Sequence, residues 1–398
     1  MNAAVPTRVL AVLCALAVSV FDVRAAEPPV RATVTLVHAS DTTWRVEYRL
    51  SEPVDAIELG PKIVEYRTTA WSPKTPGQRL ASDGNGESIR ADAPFDEAVV
   101  EIRDYAPWAH DQYIPIDRHS DGGHAFYLGF LMGTVRQGMR ERNLLVTFEL
   151  VGLHGEQVLL AEQANDDKGT YAYFGPQQPT TAGAVRLVVD PQTPAWMRAV
   201  VEDGVGRLSA YYQRAFARSW RSAPLVIIGA GQLDLPGFSV KGGALPGEIA
   251  FKIAGERART ETPELRAMFE QLVAHELAHV WQGLVRRGGM DDAGEPWVHE
   301  GGAQALSIAA LEGSGVWSAA QAKRFEASLR EECARIEAAK AHGEPDDASR
   351  WAYSCGYARF AAYPLDPTEL WKRLLAATER SGAPYSATMI ARVIRARK

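Results

Sequence analysis

A chain of 398 residues, 46% apolar and 23% charged, is long enough for two or three domains with cores of ordinary size. A net charge of −6 argues against a nucleic-acid partner, which needs a basic face. No low-complexity tract, heptad array or internal repeat stands out.

The chain opens with Arg8 and a 13-residue apolar run, Val9 to Phe21, too short to span a membrane. Val23-Arg24-Ala25 then supplies small residues at the −3 and −1 positions of a cleavage site. We therefore expect a signal peptide over 1–25, cut after Ala25 or Ala26. Its removal implies export to the periplasm or medium, with no stable membrane span afterwards. Of the three cysteines, Cys14 leaves with the leader. An oxidising compartment then permits Cys333 and Cys355 to pair, the alternative being two buried thiols.

Residues 27–184 read as a β-rich domain. Short alternating segments, 34–37, 44–50, 98–102, 144–150 and 171–174, are separated by Gly, Pro and Asp turns, the spacing of a sandwich-like fold. The aromatic stretch Tyr105 to Phe130 holds His110, His119 and His124. Their spacing matches no metal template, so packing is favoured over a second metal or carbohydrate site. From residue 185 the pattern changes. A strand over 185–189, a helix over 194–218 and a strand over 224–228 lead into a largely helical remainder: 316–341, 350–363, 367–380 and 386–397. Gly229-Ala230-Gly231 resembles a nucleotide-binding turn only superficially, because Pro236 and glycines come after it instead of a helix.

Between these elements lies His275-Glu276-Leu277-Ala278-His279. Thr262-Pro263-Glu264 predicts a helix start and Arg286-Arg287-Gly288 a helix end. Apolar residues at helical spacing put His275 and His279 in an inward row with Met268 and Leu272. Histidines four apart share a face and can hold one metal ion, while Glu276 reaches a water on it. Pro296 starts a second helix, antiparallel to the first after a short loop. It carries two rival third ligands, His299 and Glu300, which sit about 100° apart and cannot both face the metal.

His275-Glu276-x-x-His279, with Trp297-Val298-His299-Glu300-Gly301-x-Ala303 after it, resembles the gluzincin zinc metallopeptidases, most nearly the aminopeptidase N and glycyl aminopeptidase families. Those families carry W-x-N-E-G-x-A; here 20 residues separate His279 from Glu300, and His299 replaces the asparagine. The resemblance covers mainly 185–360 and selects Glu300 as third ligand. It implies one Zn2+ per chain, a peptide or protein substrate, and an α+β fold. In that fold a β-sandwich-like N-terminal domain precedes a thermolysin-like catalytic domain over 185–398, a mixed sheet lobe plus a helical lobe. A later Y-x-K-G segment of the families is matched by Tyr353-Ser354-Cys355-Gly356, with cysteine for lysine. It implies Tyr353 as oxyanion donor, Tyr357 being the other candidate. The G-x-M-E-N segment that anchors a substrate amino group is missing. Glu248 stands nearby as a candidate ammonium ligand or as an edge-strand acid. The expectation is an exported zinc aminopeptidase with Glu276 as general base. The alternatives are an endopeptidase or oligopeptidase on the same scaffold, or an inactive exported zinc-containing binding protein.

Overall fold

The computed structural model describes residues 28–60, 64–83, 86–105, 113–161, 169–284, 295–342 and 348–395. The expected leader and His110 lie outside them. The fold is mixed α+β. The five short strands expected before residue 175 all fall inside longer observed ones: Val30–Ser40, Thr43–Leu59, Glu87–Arg103, Arg140–Val151 and Tyr171–Gly175. Alternation drives them: Val30, Ala32, Val34 and Leu36 are buried and their neighbours are not.

Two sheets form this half among the described residues. One has seven strands, with Val30–Ser40 antiparallel to Thr43–Leu59 and parallel to Arg140–Val151. The other has four strands and includes His124–Tyr127 and Tyr171–Gly175. They share one core containing Trp44, Phe126 and Tyr173. His119 and His124 are buried in it, against Tyr173 and Trp44 respectively. His38 stacks on Trp44, and its Nδ1 donates to both oxygens of Glu156 at 2.9 Å. The described histidines of the stretch, His119 and His124, are thus built into aromatic packing.

A third sheet has the order Thr180–Ala182, Val185–Val189, Leu225–Gln232, Glu248–Ala254, Ser239–Leu245. Its three central strands are parallel, and Ser239–Leu245 closes the far edge antiparallel. Leu225 to Ala230 are all buried, the continuous apolar run of a strand covered on both faces. Val226 and Ile228 face the helices; Leu225 and Ile227 face the core of the β-rich half. This sheet therefore joins the two parts of the molecule.

The helix expected over 194–218 is broken into α-helix Ala195–Ala199, a π turn Val200–Gly204 and α-helix Val205–Phe216. Helix Pro263–Gln282 ends at Gly283, before the basic residues expected to close it. The remaining helices are Pro296–Gly313, Ala319–Ala341, Ala348–Ala361, Pro367–Ser381 and Ala387–Arg395. None of the helices is long and apolar enough to cross a membrane, among the described residues.

Cys333 and Cys355 form a disulfide across 22 residues, tying helix Ala319–Ala341 to helix Ala348–Ala361. Closing a loop of that length in the unfolded chain is worth about 3 kcal/mol. The Cys333→Ser/Cys355→Ser double variant should lose stability by about that amount in urea unfolding under non-reducing conditions.

Candidate metal centre

Helix Pro263–Gln282 begins as its sequence dictates. Thr262 Oγ1 accepts the N–H of Leu265, and Pro263 occupies the first turn. Three turns later His275 and His279 emerge one above the other, 3% and 6% exposed. Their Nε2 atoms lie 3.0 Å apart. Helix Pro296–Gly313 delivers Glu300, whose Oε2 is 3.2 Å from each Nε2. The three side chains converge on one point, as the metal-ligand geometry of the motif requires.

The donor set fits a divalent ion. The Nδ1 of His279 donates to Gln282 Oε1 at 2.7 Å, and Gln282 is oriented by its own Nε2 donating to the His299 carbonyl at 3.0 Å. In the neutral ring that leaves the Nε2 lone pair facing Glu300. Two imidazole nitrogens and a carboxylate oxygen pointing at each other in a buried site call for a cation between them. Tetrahedral zinc bound by nitrogens at about 2.0–2.1 Å would set them about 3.3 Å apart, close to the spacing observed. Burial opposes charge on Glu300, but the facing imidazoles, His279 foremost, outweigh it and hold the carboxyl far below its ordinary range. Burial likewise opposes a proton on His279, and Glu300 overrides it and raises the imidazole.

His299, the rival ligand, is turned away from this point. Its ring stacks on that of His279 at 4.1 Å, and its Nδ1 lies 2.6 Å from Tyr385 Oη. It backs the ligand and does not join the three converging donors. Glu276 points out of the helix toward the edge strand, where its Oε2 accepts the N–H of Ala244 at 2.8 Å. Gly243 lies beside it; a side chain there would stand 3.3 Å from the same oxygen.

Tyr353 lines the same cleft, with its ring 5.3 Å from that of His275. Burial, then the carboxylates of Glu300 and Glu276, push its phenol above the ordinary range, so it keeps its proton at neutral pH. Tyr357 is buried in the helical core under Arg330 and does not line the cleft. Tyr353 owes its position to a backbone crossing. A Cβ on Gly356 would stand 2.9 Å from Gly301 Cα and 3.0 Å from the Trp297 carbonyl. The glycines in the Glu300-Gly301 and Cys355-Gly356 pairs thus let two helices touch, one carrying Glu300 and the other Tyr353.

Glu248 is a correction. It opens an interior strand, not the edge, and is fully buried. Its oxygens accept the Tyr171 N–H and the Thr170 hydroxyl, both at 2.9 Å, and it does not line the cleft. It joins the third sheet to the β-rich half and is not placed to meet a substrate.

The cleft holds about 930 Å³. One wall is the edge hairpin and the metal helices; the other comes from the β-rich half, including Tyr113, Asp117 and Tyr127. That second wall had no signal in the sequence: Tyr113, Asp117 and Tyr127 lie more than 100 positions from the motif and meet it only through tertiary packing, and nothing local marked Lys241 and Lys252 of the hairpin as cleft residues.

No protein-family model and no curated protein matches the sequence. Solved structures do. A crystal structure of an aminopeptidase N family protein from Idiomarina loihiensis is 12% identical and superposes with a TM-score of 0.59, covering 91% of this chain and 72% of that one. A zinc metallopeptidase from Deinococcus radiodurans is 14% identical at a TM-score of 0.47, covering 92% and 89%. Yeast leukotriene A4 hydrolase with bestatin is 10% identical at 0.48, covering 92% and 64%. The first similarity shows a shared fold.

Two outcomes are expected. Gly356→Ala forces the helix crossing apart; it should lower stability by about 1–3 kcal/mol in urea unfolding. Burial raises the Glu248 carboxyl from its ordinary 4.5 to about 8. Between those values the folded chain keeps a proton that the unfolded chain has released, so stability falls as pH rises through that window and levels off above about pH 8. Unfolding free energies between pH 4.5 and 8 should show this slope, on the order of 4 kcal/mol in all, and Glu248→Gln should flatten it.

Proposed function

We propose that the chain is a zinc-dependent metallopeptidase of the gluzincin type, acting as an aminopeptidase on peptides. The convergence of His275, His279 and Glu300 beside Glu276 in an open cleft is the observation that carries this reading. The shared fold with an aminopeptidase N family protein supports it. In this reading residues 27–184 are the sandwich-like domain and 185–398 the thermolysin-like catalytic domain.

His275 and His279, through Nε2, and Glu300, through Oε2, would hold the ion. Zinc bound there supplies Lewis acidity and brings a water's pKa toward neutrality. An extended peptide lies along the edge strand Ser239–Leu245, which has no strand neighbour on its outer side among the described residues. Glu276, held by the Ala244 N–H, takes the proton of the attacking water on its carboxylate and passes it to the leaving amine. Tyr353, protonated at neutral pH, donates its O–H to the oxygen that gains charge as the carbonyl is attacked. Glu276 also argues against an inactive binding protein, since a purely structural zinc site needs no general base.

A second reading, endopeptidase or oligopeptidase, is favoured by one feature of the cleft. Its acid outside the catalytic group, Asp117, is paired with Lys252 at 3.0 Å and leaves no free carboxylate among the described residues for a terminal ammonium. Cleavage of amino-blocked peptides separates the two. We also place the mature chain outside the cytoplasm, as the leader-like segment 1–25 and the Cys333–Cys355 disulfide support.

Glu276→Gln should retain about one zinc per chain and lose turnover of a mixed peptide library by about 10³-fold or more. His275→Ala should lose the metal itself. Metal content by atomic absorption with library cleavage checks both; full activity in Glu276→Gln would overturn the mechanism.

A further inference from the structure

The edge hairpin carries two lysines into the cleft. Lys241 and Lys252 are direct partners in the antiparallel register, and both line the cavity. Side chains two apart on a strand share a face, so Lys241 stands on the face of Gly243, the position against Glu276. At about 3.3 Å per residue it sits about 7 Å along the strand from the catalytic acid. A peptide extended along the same strand advances at the same rate. The side chain it presents to Lys241 is therefore about two residues from the bond being cut.

The two lysines differ in their surroundings. Lys252 is 16% exposed and lies 3.0 Å from the buried Asp117, so its charge is compensated. Lys241 is exposed, and no carboxylate among the described residues pairs with it. The other carboxylates lining the cleft are also engaged: Glu276 accepts the Ala244 N–H, and Glu300 faces two imidazoles. Among the described residues, the cleft thus offers one uncompensated positive charge along the substrate path.

We propose that Lys241 forms an anionic subsite, selecting peptides that carry a carboxylate, an acidic side chain or a chain terminus, about two residues from the scissile bond. This rests on the peptidase reading and names the substrate class of that same site. A long, mobile lysine at a cleft rim gives a modest, salt-sensitive preference.

The test uses the zinc-loaded full chain and matched peptides carrying Glu or Gln at each available position within two residues of the cut bond. Wild type, Lys241→Met and Lys241→Glu are compared by kcat/KM. The same peptides are titrated calorimetrically into Glu276→Gln with and without Lys241→Glu, which reads binding without turnover. At one position Glu should exceed Gln by about two- to fivefold, in cleavage and in binding. The preference should vanish in Lys241→Met, reverse in Lys241→Glu and shrink as salt is raised. Equal handling of Glu and Gln at every position by an active enzyme, or a preference untouched by both substitutions, overturns the subsite and leaves the peptidase reading standing. No cleavage of any peptide by wild type, with no binding by Glu276→Gln, removes both.

Discussion

Three buried donors aimed at one point are the constraint around which the helical half is arranged. Two imidazole nitrogens 3.0 Å apart and a carboxylate oxygen 3.2 Å from each make a costly arrangement unless a cation lies among them. Holding them there takes two helices at fixed separation. Gln282 and His299 stiffen the arrangement from behind, the first by fixing the tautomer of His279 and the second by stacking against it.

From that point the structure builds outward by close contact. The glycine crossing of Gly301 with Gly356 lets the helix bearing Tyr353 lie against the helix bearing Glu300, and the Cys333–Cys355 disulfide ties it to helix Ala319–Ala341. On the opposite side the edge strand meets the metal helix through one hydrogen bond, Ala244 N–H to Glu276. The third sheet then carries the assembly into the β-rich half: its apolar residues serve both cores, and Glu248 reaches across to Thr170 and Tyr171. The cleft is what remains between these contacts, with a motif-bearing wall and a wall from the other half of the chain.

Much of this is legible in local sequence. Thr262, Pro263 and the apolar row predict the helix; the four-residue spacing predicts that both histidines share its inner face; Pro296 predicts the next helix. The departures have physical reasons. The π turn at Val200–Gly204 interrupts a segment that reads as one helix, because a single turn is too short to stand out in a periodicity count over 25 residues. Glu248 reads as exposed because charge on a strand usually is, yet hydrogen bonds from a distant segment let it be buried. The choice between His299 and Glu300 turns on helix rotation, which only packing settles.

The sequence by itself determined the features that short-range periodicity encodes: the cores of the longer strands, the capped helices, the shared face of His275 and His279, and the placing of Glu276 between them. These need only the repeat of the backbone and the chemistry of neighbouring side chains. Tertiary structure alone decided which of Tyr353 and Tyr357 faces the cleft, where Glu248 goes, and that Lys252 meets Asp117 while Lys241 meets no carboxylate among the described residues. Those outcomes depend on contacts between segments dozens to more than a hundred residues apart, and no local pattern carries information about which distant surface will be buried against it.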